Sequence, residues 1–178
     1  MRSEFDDPSF DDSTSIVEGR RTDAERLISR LGELGWTIAV AESLTGGLLC
    51  AEIVAVPGAS AHLRGGVVSY ATDLKQRMLG VDGAILDLDG PVQPKVARQM
   101  AEGVRDALAD GERPADVGVS TTGVAGPTSP DGQPVGTVYV GVSTPLGTRV
   151  ELLQLDGTRE QIRAETVRRA IRLVLEAL

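Results

Sequence analysis

The sequence of 178 residues contains only one cysteine, Cys50, and only one histidine, His62. A single cysteine excludes an internal disulfide, and the scarcity of both residue types excludes a structural zinc site or a site built from Cys/His clusters. We therefore expect no metal centre. The sequence also lacks an apolar run near the roughly 20 residues that a membrane-spanning helix needs, so we expect no membrane association.

Positive charge is scarce as well. The chain has 18 basic and 26 acidic side chains, which gives a formal net charge of −8. Nonspecific nucleic-acid binding requires a basic face that neutralises phosphates, so we expect no nucleic-acid partner. About half of the excess negative charge falls within residues 1–20. The remainder of the chain is closer to neutral and is compatible with a small anionic substrate.

Residues 1–20 combine Asp, Ser, Pro and Gly without an apolar period. This composition predicts a disordered acidic tail, which is either start-site sequence or a natural acidic extension. The segment lacks the basic start and the apolar stretch of a secretory signal, so we expect a cytoplasmic protein. Residues 21–178 are long enough for one domain with its own core.

Helical and strand patterns alternate along that domain. Apolar positions at helical spacing, with turn or cap residues at the ends, predict helices at residues 22–35, 71–80, 92–111 and 158–178. Short β-branched runs predict strands in "WTIAVA", "GGVVSY", "DVGVSTTG", "GTVYVGVST" and "TRVELLQL". The last two flank "PLG" and predict a hairpin. The fold class is therefore α/β: a three-layer α/β/α domain around a mixed, mostly parallel five-stranded sheet.

Three polar segments follow predicted strands: "AESLTGG", "SYATDLK" and "TTGVAGPTSPDGQPVG". Ligands of open α/β sheets bind at the carboxyl ends of the strands. The three segments are therefore candidates for one site.

Ser43, in the first segment, is a candidate nucleophile at a strand-to-helix turn. The backbone amides of Thr45, Gly46 and Gly47 are candidates to bind a phosphate or an oxyanion at the start of the next helix. The segment matches neither the G-x-S-x-G elbow nor the Walker A loop. In the alternative interpretation, Ser43 or Thr45 only caps the helix and the glycines permit close packing.

A serine nucleophile needs a base, and His62 lies beside Arg64 with no acid next to it in sequence. We interpret His62 as an ordinary exposed or helix-end residue. A desolvated lysine can act as a base whereas arginine cannot, and the only lysines are Lys75 and Lys95. Tyr70 at a strand end and Lys75 about one turn into a helix can reach one pocket. Alternatively, Lys75 is a solvated helix residue. For Lys95, inside an amphipathic helix, this is our only interpretation.

The segment "TGVAGPTSPDGQPVG" contains four glycines and three prolines. This composition favours a rigid loop that exposes its backbone, and such a loop can form the wall of a nucleotide or phosphate pocket. An ordinary long hairpin connection is the alternative.

Taken together, "AESLTGGLL", "VPGAS…GGVVSYATDLKQRMLGV", "GPVQPKVARQMAEGV" and "TTGVAGPTSPDGQPVGTVYVGV" resemble the CinA C-terminal family, the nicotinamide-nucleotide amidohydrolases. The resemblance extends from about residue 22 to residue 178. It implies hydrolysis of the carboxamide of nicotinamide mononucleotide to nicotinic acid mononucleotide and ammonia, a salvage step of NAD metabolism, without a cofactor. It also implies a homo-oligomer. Longer members carry a further domain associated with pyrophosphatase activity, which we expect this chain to lack.

The resemblance assigns the family's serine to Ser43 and its tyrosine and lysine to Tyr70 and Lys75. We expect Lys75, assisted by Tyr70, to accept the Ser43 proton while the amides of residues 45–47 hold the oxyanion. The ribose and phosphate are expected to lie against the loop after the third strand, with the helix start at Gly46 as a competing phosphate site. The loop residues expected to bind substrate are Thr122, Gly123, Ala125, Gly126 and Pro127.

The chain departs from the family pattern at two places. Ala71 and Thr72 replace a Ser-Asn pair after the tyrosine, and Gln93 replaces a serine that caps the following helix. Substrate preference could therefore differ. An amidase for another small carboxamide, or a noncatalytic nucleotide-binding module, are the alternative functions.

Overall fold

The structure is a computed structural model that describes residues 21–129 and 132–178; the predicted tail, residues 1–20, lies outside the described residues. A short 3-10 helix spans Ala59–Ala61. The helices and strands follow one another in the order α1 (Asp23–Leu34), β1 (Ile38–Glu42), α2 (Leu48–Val54), β2 (Leu63–Val68), α3 (Thr72–Leu79), α4 (Gly83–Asp89), α5 (Pro94–Ala107), β3 (Val117–Gly123), β4 (Thr137–Thr144), β5 (Gly147–Gln154) and α6 (Arg159–Ala177).

The sheet has five strands in the order β2-β1-β3-β4-β5. β1 pairs in parallel with both β2 and β3. β4 runs antiparallel to both of its neighbours, β3 and β5. Four of the five strands therefore point in one direction, which confirms the predicted mixed sheet. The carboxyl ends of β1, β2, β3 and β5 all lie at one edge.

Helices cover both faces of the sheet. One core cluster packs α1, α2 and α6 against the face that includes Ile38 and Val40, and the second packs α3, α4 and α5 against the face that includes Ala39 and Ala41. The alternation along β1 reflects the two-residue period of strand side chains. The predicted three-layer arrangement is therefore confirmed. No helix of the described ranges is long and apolar enough to cross a membrane.

Local signals determine several helix ends. α1 begins with the predicted capping box of Thr22 and Glu25, and it ends at Gly35 in the left-handed conformation. The start of α5 at Gln93 has no side-chain cap, as expected from the missing serine. The sequence pattern does not predict α4. Only Leu86 of this seven-residue helix is buried, so α4 has no apolar period to detect.

The start of α2 is capped by Glu42, the last residue of β1. Its carboxylate is fully buried and accepts hydrogen bonds from the backbone amides of Gly47, Leu49 and Cys50 at 2.9–3.0 Å. A carboxylate at this position also complements the helix dipole. The interpretation of Ser43 or Thr45 as the cap of this helix is therefore wrong. Burial and the Glu42 charge raise the pKa of the Cys50 thiol, which keeps it protonated at neutral pH.

Replacing Glu42 with glutamine should destabilise the protein. The amide keeps one oxygen acceptor but turns an NH₂ donor toward a backbone N–H. We expect the free energy of unfolding, measured by urea denaturation, to fall by about 2 kcal/mol. The control is Glu52→Gln, an exposed residue of α2, which should change it by less than about 0.5 kcal/mol. Equal effects of the two substitutions would contradict the capping role of Glu42.

Gly103 permits close packing of α5 on the end of α3, the helix that carries Lys75. A methyl group at this position would overlap the carbonyl oxygen of Leu79. Gly103→Ala should therefore destabilise the protein by about 2 kcal/mol, although alanine is the better helix former. In α1, a methyl at Gly32 would lie 3.3 Å from the movable His62 side chain. Thermal or urea denaturation should show a clearly smaller loss of unfolding free energy for Gly32→Ala than for Gly103→Ala. A larger loss for Gly32→Ala would contradict this packing.

Candidate active site

A cavity of about 480 Å³ opens at the carboxyl edge of the sheet. The segments after β1, β2 and β3 all contribute to its walls, as the sequence predicts for this edge. The first two supply Ser43, Tyr70 and Lys75, and the third supplies residues 122–126. Pro91 and Val92, which precede α5, add an apolar portion. The three polar segments therefore meet in one cavity.

Ser43 and Lys75 form a close pair in this cavity. The Lys75 amine nitrogen (Nζ) lies 3.1 Å from the Ser43 hydroxyl oxygen (Oγ), and Nζ donates a hydrogen bond to the Ser69 carbonyl oxygen at 2.7 Å. Ser43 is 9% exposed and Lys75 only 1%. The alternative that Lys75 is a solvated helix residue is therefore wrong. The structure brings together the hydroxyl and the amine that the sequence singles out.

The short connection from β2 to α3 delivers the amine to the end of β1. Beyond the last residue of β2, the Ser69 amide donates to the Glu42 carbonyl oxygen at 2.9 Å and extends the pairing with β1. α3 then begins at Thr72, and Lys75 and Leu79 form its buried face. The Ser43 amide donates to the Thr121 carbonyl oxygen at 3.0 Å, which fixes the serine beside β3.

Tyr70 lies at the mouth of the cavity and is 60% exposed. Its hydroxyl oxygen accepts a hydrogen bond from a terminal guanidinium nitrogen (Nη2) of Arg159 at 3.1 Å. The tyrosine therefore faces a guanidinium group of α6. The assistance of Lys75 by Tyr70 stays a prediction.

The turn after Ser43 differs from the predicted oxyanion site. The Gly46 amide donates to the Ser43 carbonyl oxygen at 3.1 Å, and the Gly47 amide donates to Glu42. Neither glycine lines the cavity. The prediction that their amides are available to an oxyanion, or that of Gly46 to a phosphate, is therefore wrong, because both are already bonded within the chain.

Two other amides of this turn remain available. The amides of Leu44 and Thr45 donate to no acceptor among the described residues, and Leu44 lines the cavity. Of the three predicted donors, Thr45 alone keeps an amide without an acceptor among the described residues, although Thr45 itself does not line the cavity; Leu44, the residue directly after the serine, does. The sequence signal for which amides are bonded is an acidic residue at the end of a strand, directly before a Ser/Gly turn. The carboxylate of such a residue can accept hydrogen bonds from the first amides of the following helix.

The loop after β3 forms one wall of the cavity. Four of the five predicted loop residues line it; Pro127 does not. The Val124 amide donates to the Thr137 carbonyl oxygen at 2.9 Å, and the Thr122 hydroxyl donates to the Pro91 carbonyl oxygen at 2.7 Å. These bonds fix the start of the loop. Residues 130–131 lie outside the described residues.

Arg159, which the sequence reasoning did not single out, also lines the cavity. It is the first residue of α6, and its second terminal guanidinium nitrogen (Nη1) donates to the Gly126 carbonyl oxygen at 2.8 Å. The direction of β5 explains its location, because this strand ends at the same edge as β1 and β3 and delivers the start of α6 to the cavity. The "TREQ" capping box marks that helix start in the sequence.

Arg163 lies one helical turn further along α6 and contacts the back of the serine turn. Its guanidinium donates from Nε to the Leu44 carbonyl oxygen at 2.9 Å and from Nη2 to the Thr45 carbonyl oxygen at 3.0 Å. Arg163 does not line the cavity.

The described residues offer no group of three or more His, Cys, Asp or Glu side chains that could hold a metal ion. His62 lies outside the cavity, with its ring nitrogen Nδ1 3.1 Å from the Trp36 carbonyl oxygen. The side chain beside Ser43 in this cavity is therefore the Lys75 amine and not the His62 imidazole.

The chain is similar in sequence to curated bacterial proteins. A putative competence-damage inducible protein of Geobacillus sp. (strain WCH70) is 45% identical over 86% of this chain, and a CinA-like protein of Frankia casuarinae is 47% identical over 80%. The aligned part covers 36% and 32% of those two proteins, so the chain spans about a third of the length of the curated relatives it matches.

The fold also resembles solved structures of bacterial proteins. The competence/damage inducible protein CihA from Agrobacterium tumefaciens has a TM-score of 0.78 and 32% identity, and the match covers 88% of this chain and 96% of that one. A CinA superfamily protein from Escherichia coli has a TM-score of 0.80 and 30% identity, with 92% and 96% covered. The sequence model of the CinA C-terminal domain matches residues 20–178. This chain therefore belongs to the CinA C-terminal domain family.

Proposed function

We propose that this domain hydrolyses the carboxamide of nicotinamide mononucleotide to nicotinic acid mononucleotide and ammonia. The observation that carries the proposal is the 3.1 Å distance between Ser43 Oγ and Lys75 Nζ inside the cavity. Serine and lysine within hydrogen-bond distance are a known combination of nucleophile and base. The resemblance to nicotinamide-nucleotide amidohydrolases supplies the substrate.

Burial of Lys75 supports its role as the base. Removal from water disfavours the charged form of an amine, and Lys75 is 1% exposed. A neutral amine has two protons and one lone pair. In the proposed neutral form one proton is donated to the Ser69 carbonyl oxygen, and the lone pair is the acceptor for the hydroxyl of Ser43, whose oxygen lies 3.1 Å from Nζ. The amine can then accept the hydroxyl proton as the serine oxygen attacks.

The reaction proceeds in two halves. Ser43 Oγ bonds to the carboxamide carbon while its proton moves to Lys75, and the amides of Leu44 and Thr45 stabilise the oxyanion, by about 3 kcal/mol per donor in other hydrolases. Lys75 returns the proton to the departing nitrogen, ammonia leaves, and an ester remains on Ser43. Water then attacks the ester, gives one proton to Lys75 and releases the carboxylic acid, whose remaining proton is lost to solvent as it ionises. The Ser43 oxygen recovers its proton from Lys75.

Arg159 is the candidate partner of the substrate phosphate. A guanidinium group binds phosphate through paired, charge-assisted hydrogen bonds, and Arg159 lies at the mouth of the cavity. The Gly126 carbonyl and the Tyr70 hydroxyl hold its side chain in place. In this assignment Tyr70 orients the phosphate partner. The cavity volume is in the range of small-molecule sites.

Substitution of the reacting pair tests the catalytic assignment. Lys75→Arg keeps the positive charge but cannot lose a proton, so ammonia release from nicotinamide mononucleotide should fall by about 10³-fold. Ser43→Ala should reduce it at least as much. The control is Lys95→Arg, the other lysine and an exposed residue of α5, which should leave the rate within about twofold.

Normal turnover by either Ser43→Ala or Lys75→Arg would contradict the assignment. Wild-type protein that binds pyridine nucleotides but releases no ammonia from any of them would indicate the noncatalytic binding module. Ammonia release from another small carboxamide, in a panel that includes nicotinamide mononucleotide, would indicate the alternative amidase.

Removal of the Arg159 guanidinium tests phosphate recognition. Arg159→Met should raise the KM for nicotinamide mononucleotide by about 30-fold, equivalent to about 2 kcal/mol of charge-assisted hydrogen bonding. The kcat/KM for nicotinamide riboside, which lacks the phosphate, should change by less than about threefold. Arg168→Met, at an exposed position of α6, is the control. An equal loss with both substrates would reject a phosphate-binding role, because damage to the cavity would affect the two alike.

A further inference from the structure

Arg163 connects α6 to the turn that carries the nucleophile. Its Nε and Nη2 atoms donate to the carbonyl oxygens of Leu44 and Thr45, the two residues directly after Ser43. The guanidinium group is planar, and its donors have fixed directions. Two carbonyl groups bonded to one guanidinium are therefore held in a defined relative orientation.

These carbonyls belong to the second and third peptide groups after the reacting serine, those of residues 44–45 and 45–46. A peptide group is planar, so fixing its carbonyl also fixes the N–H on the other side of the bond. The Leu44 carbonyl shares its peptide group with the Thr45 amide, which donates to no acceptor among the described residues. A hydrogen bond to the carbonyl also polarises the peptide and strengthens its N–H as a donor.

Glu42 and Arg163 hold different groups of the same turn. The Glu42 carboxylate accepts from the amides of Gly47, Leu49 and Cys50, and the Arg163 guanidinium donates to the carbonyls of residues 44 and 45. The amides of residues 47, 49 and 50 at the start of α2 are thus bonded to Glu42, whereas those of residues 44 and 45 have no acceptor among the described residues.

We propose that Arg163 is a positioning residue for the reaction. By holding the Leu44 carbonyl, it orients the peptide group of residues 44–45 so that the Thr45 amide stabilises the oxyanion together with the neighbouring Leu44 amide. Arg163 itself does not line the cavity and contacts no substrate. The inference rests on the proposed role of Ser43 as the nucleophile, and it adds the element that prepares the oxyanion site.

Arg163→Lys tests the inference, because the ammonium keeps the charge but cannot reproduce the planar fork on both carbonyls. For nicotinamide mononucleotide, kcat should fall by about 30-fold while KM changes by less than about threefold, because the oxyanion exists only in the transition state. The control is Arg168→Lys, an exposed residue of the same helix that pairs with Glu165, which should leave both constants unchanged. Equal kcat values for wild type and Arg163→Lys would overturn the inference.

A second variant separates positioning from general stability. In Arg163→Ala, ethylguanidinium added at millimolar concentration should restore kcat at least about tenfold, because it can occupy the vacated space and donate to the same carbonyls. Ser43→Ala, treated alike, should show no rescue. A loss of kcat accompanied by an equal loss of substrate affinity, without rescue, would show that Arg163 only stabilises the fold.

Labelling with a fluorophosphonate distinguishes failure of this inference from failure of the proposed function. The probe reacts with an activated serine, uses the same oxyanion site and requires no pyridine nucleotide. Its rate of reaction with Ser43 should fall about 30-fold in Arg163→Lys; an unchanged rate overturns the inference. If wild type is labelled about 30-fold faster than Arg163→Lys but releases no ammonia, the substrate assignment fails and the inference stands. If Ser43 is neither labelled nor active in turnover, both fail.

Discussion

The contact between the Lys75 amine and the Ser43 hydroxyl is the interaction on which the site depends. A lysine that is 1% exposed gives up the hydration of its amine, and such burial costs free energy unless the amine is hydrogen-bonded. The Ser43 hydroxyl and the Ser69 carbonyl supply partners. The fold tolerates this arrangement because the pairing of β1 with β2 and the packing of α3 on α5 hold both elements that carry the pair. The buried amine thus lowers the stability of the fold locally, at the position where chemistry is proposed.

The second feature of the site is the division of backbone groups in the turn between β1 and α2. A helix start normally offers several unbonded amides to a ligand. Here a buried carboxylate from the preceding strand takes those of residues 47, 49 and 50, which leaves the amides next to the serine. The same helix, α6, supplies Arg163 to the back of the turn and Arg159 to the mouth of the cavity. The spacing of one helical turn lets one element serve both positions.

Much of this structure follows from local sequence signals. The capping box at Thr22, the short apolar strands and the turns predict the order of elements, except for α4, which buries too little to show a period. Ser43 and Lys75 are predictable because the chain has only one histidine and two lysines, which leaves few candidates for a base. The contacts of Arg159 and Arg163 are not predictable in this way. They join segments as far as 119 residues apart, and they depend on the direction of β5, which only the assembled sheet defines.

The most direct measurement of the central claim is mass spectrometry of the protein quenched in acid during a single turnover of nicotinamide mononucleotide. The account predicts that a transient ester of the nicotinic acid nucleotide appears on the peptide containing Ser43, and that its decay matches the formation of nicotinic acid mononucleotide. Release of stoichiometric ammonia while Ser43 remains unmodified at every quench time, or an adduct on another residue, would contradict it.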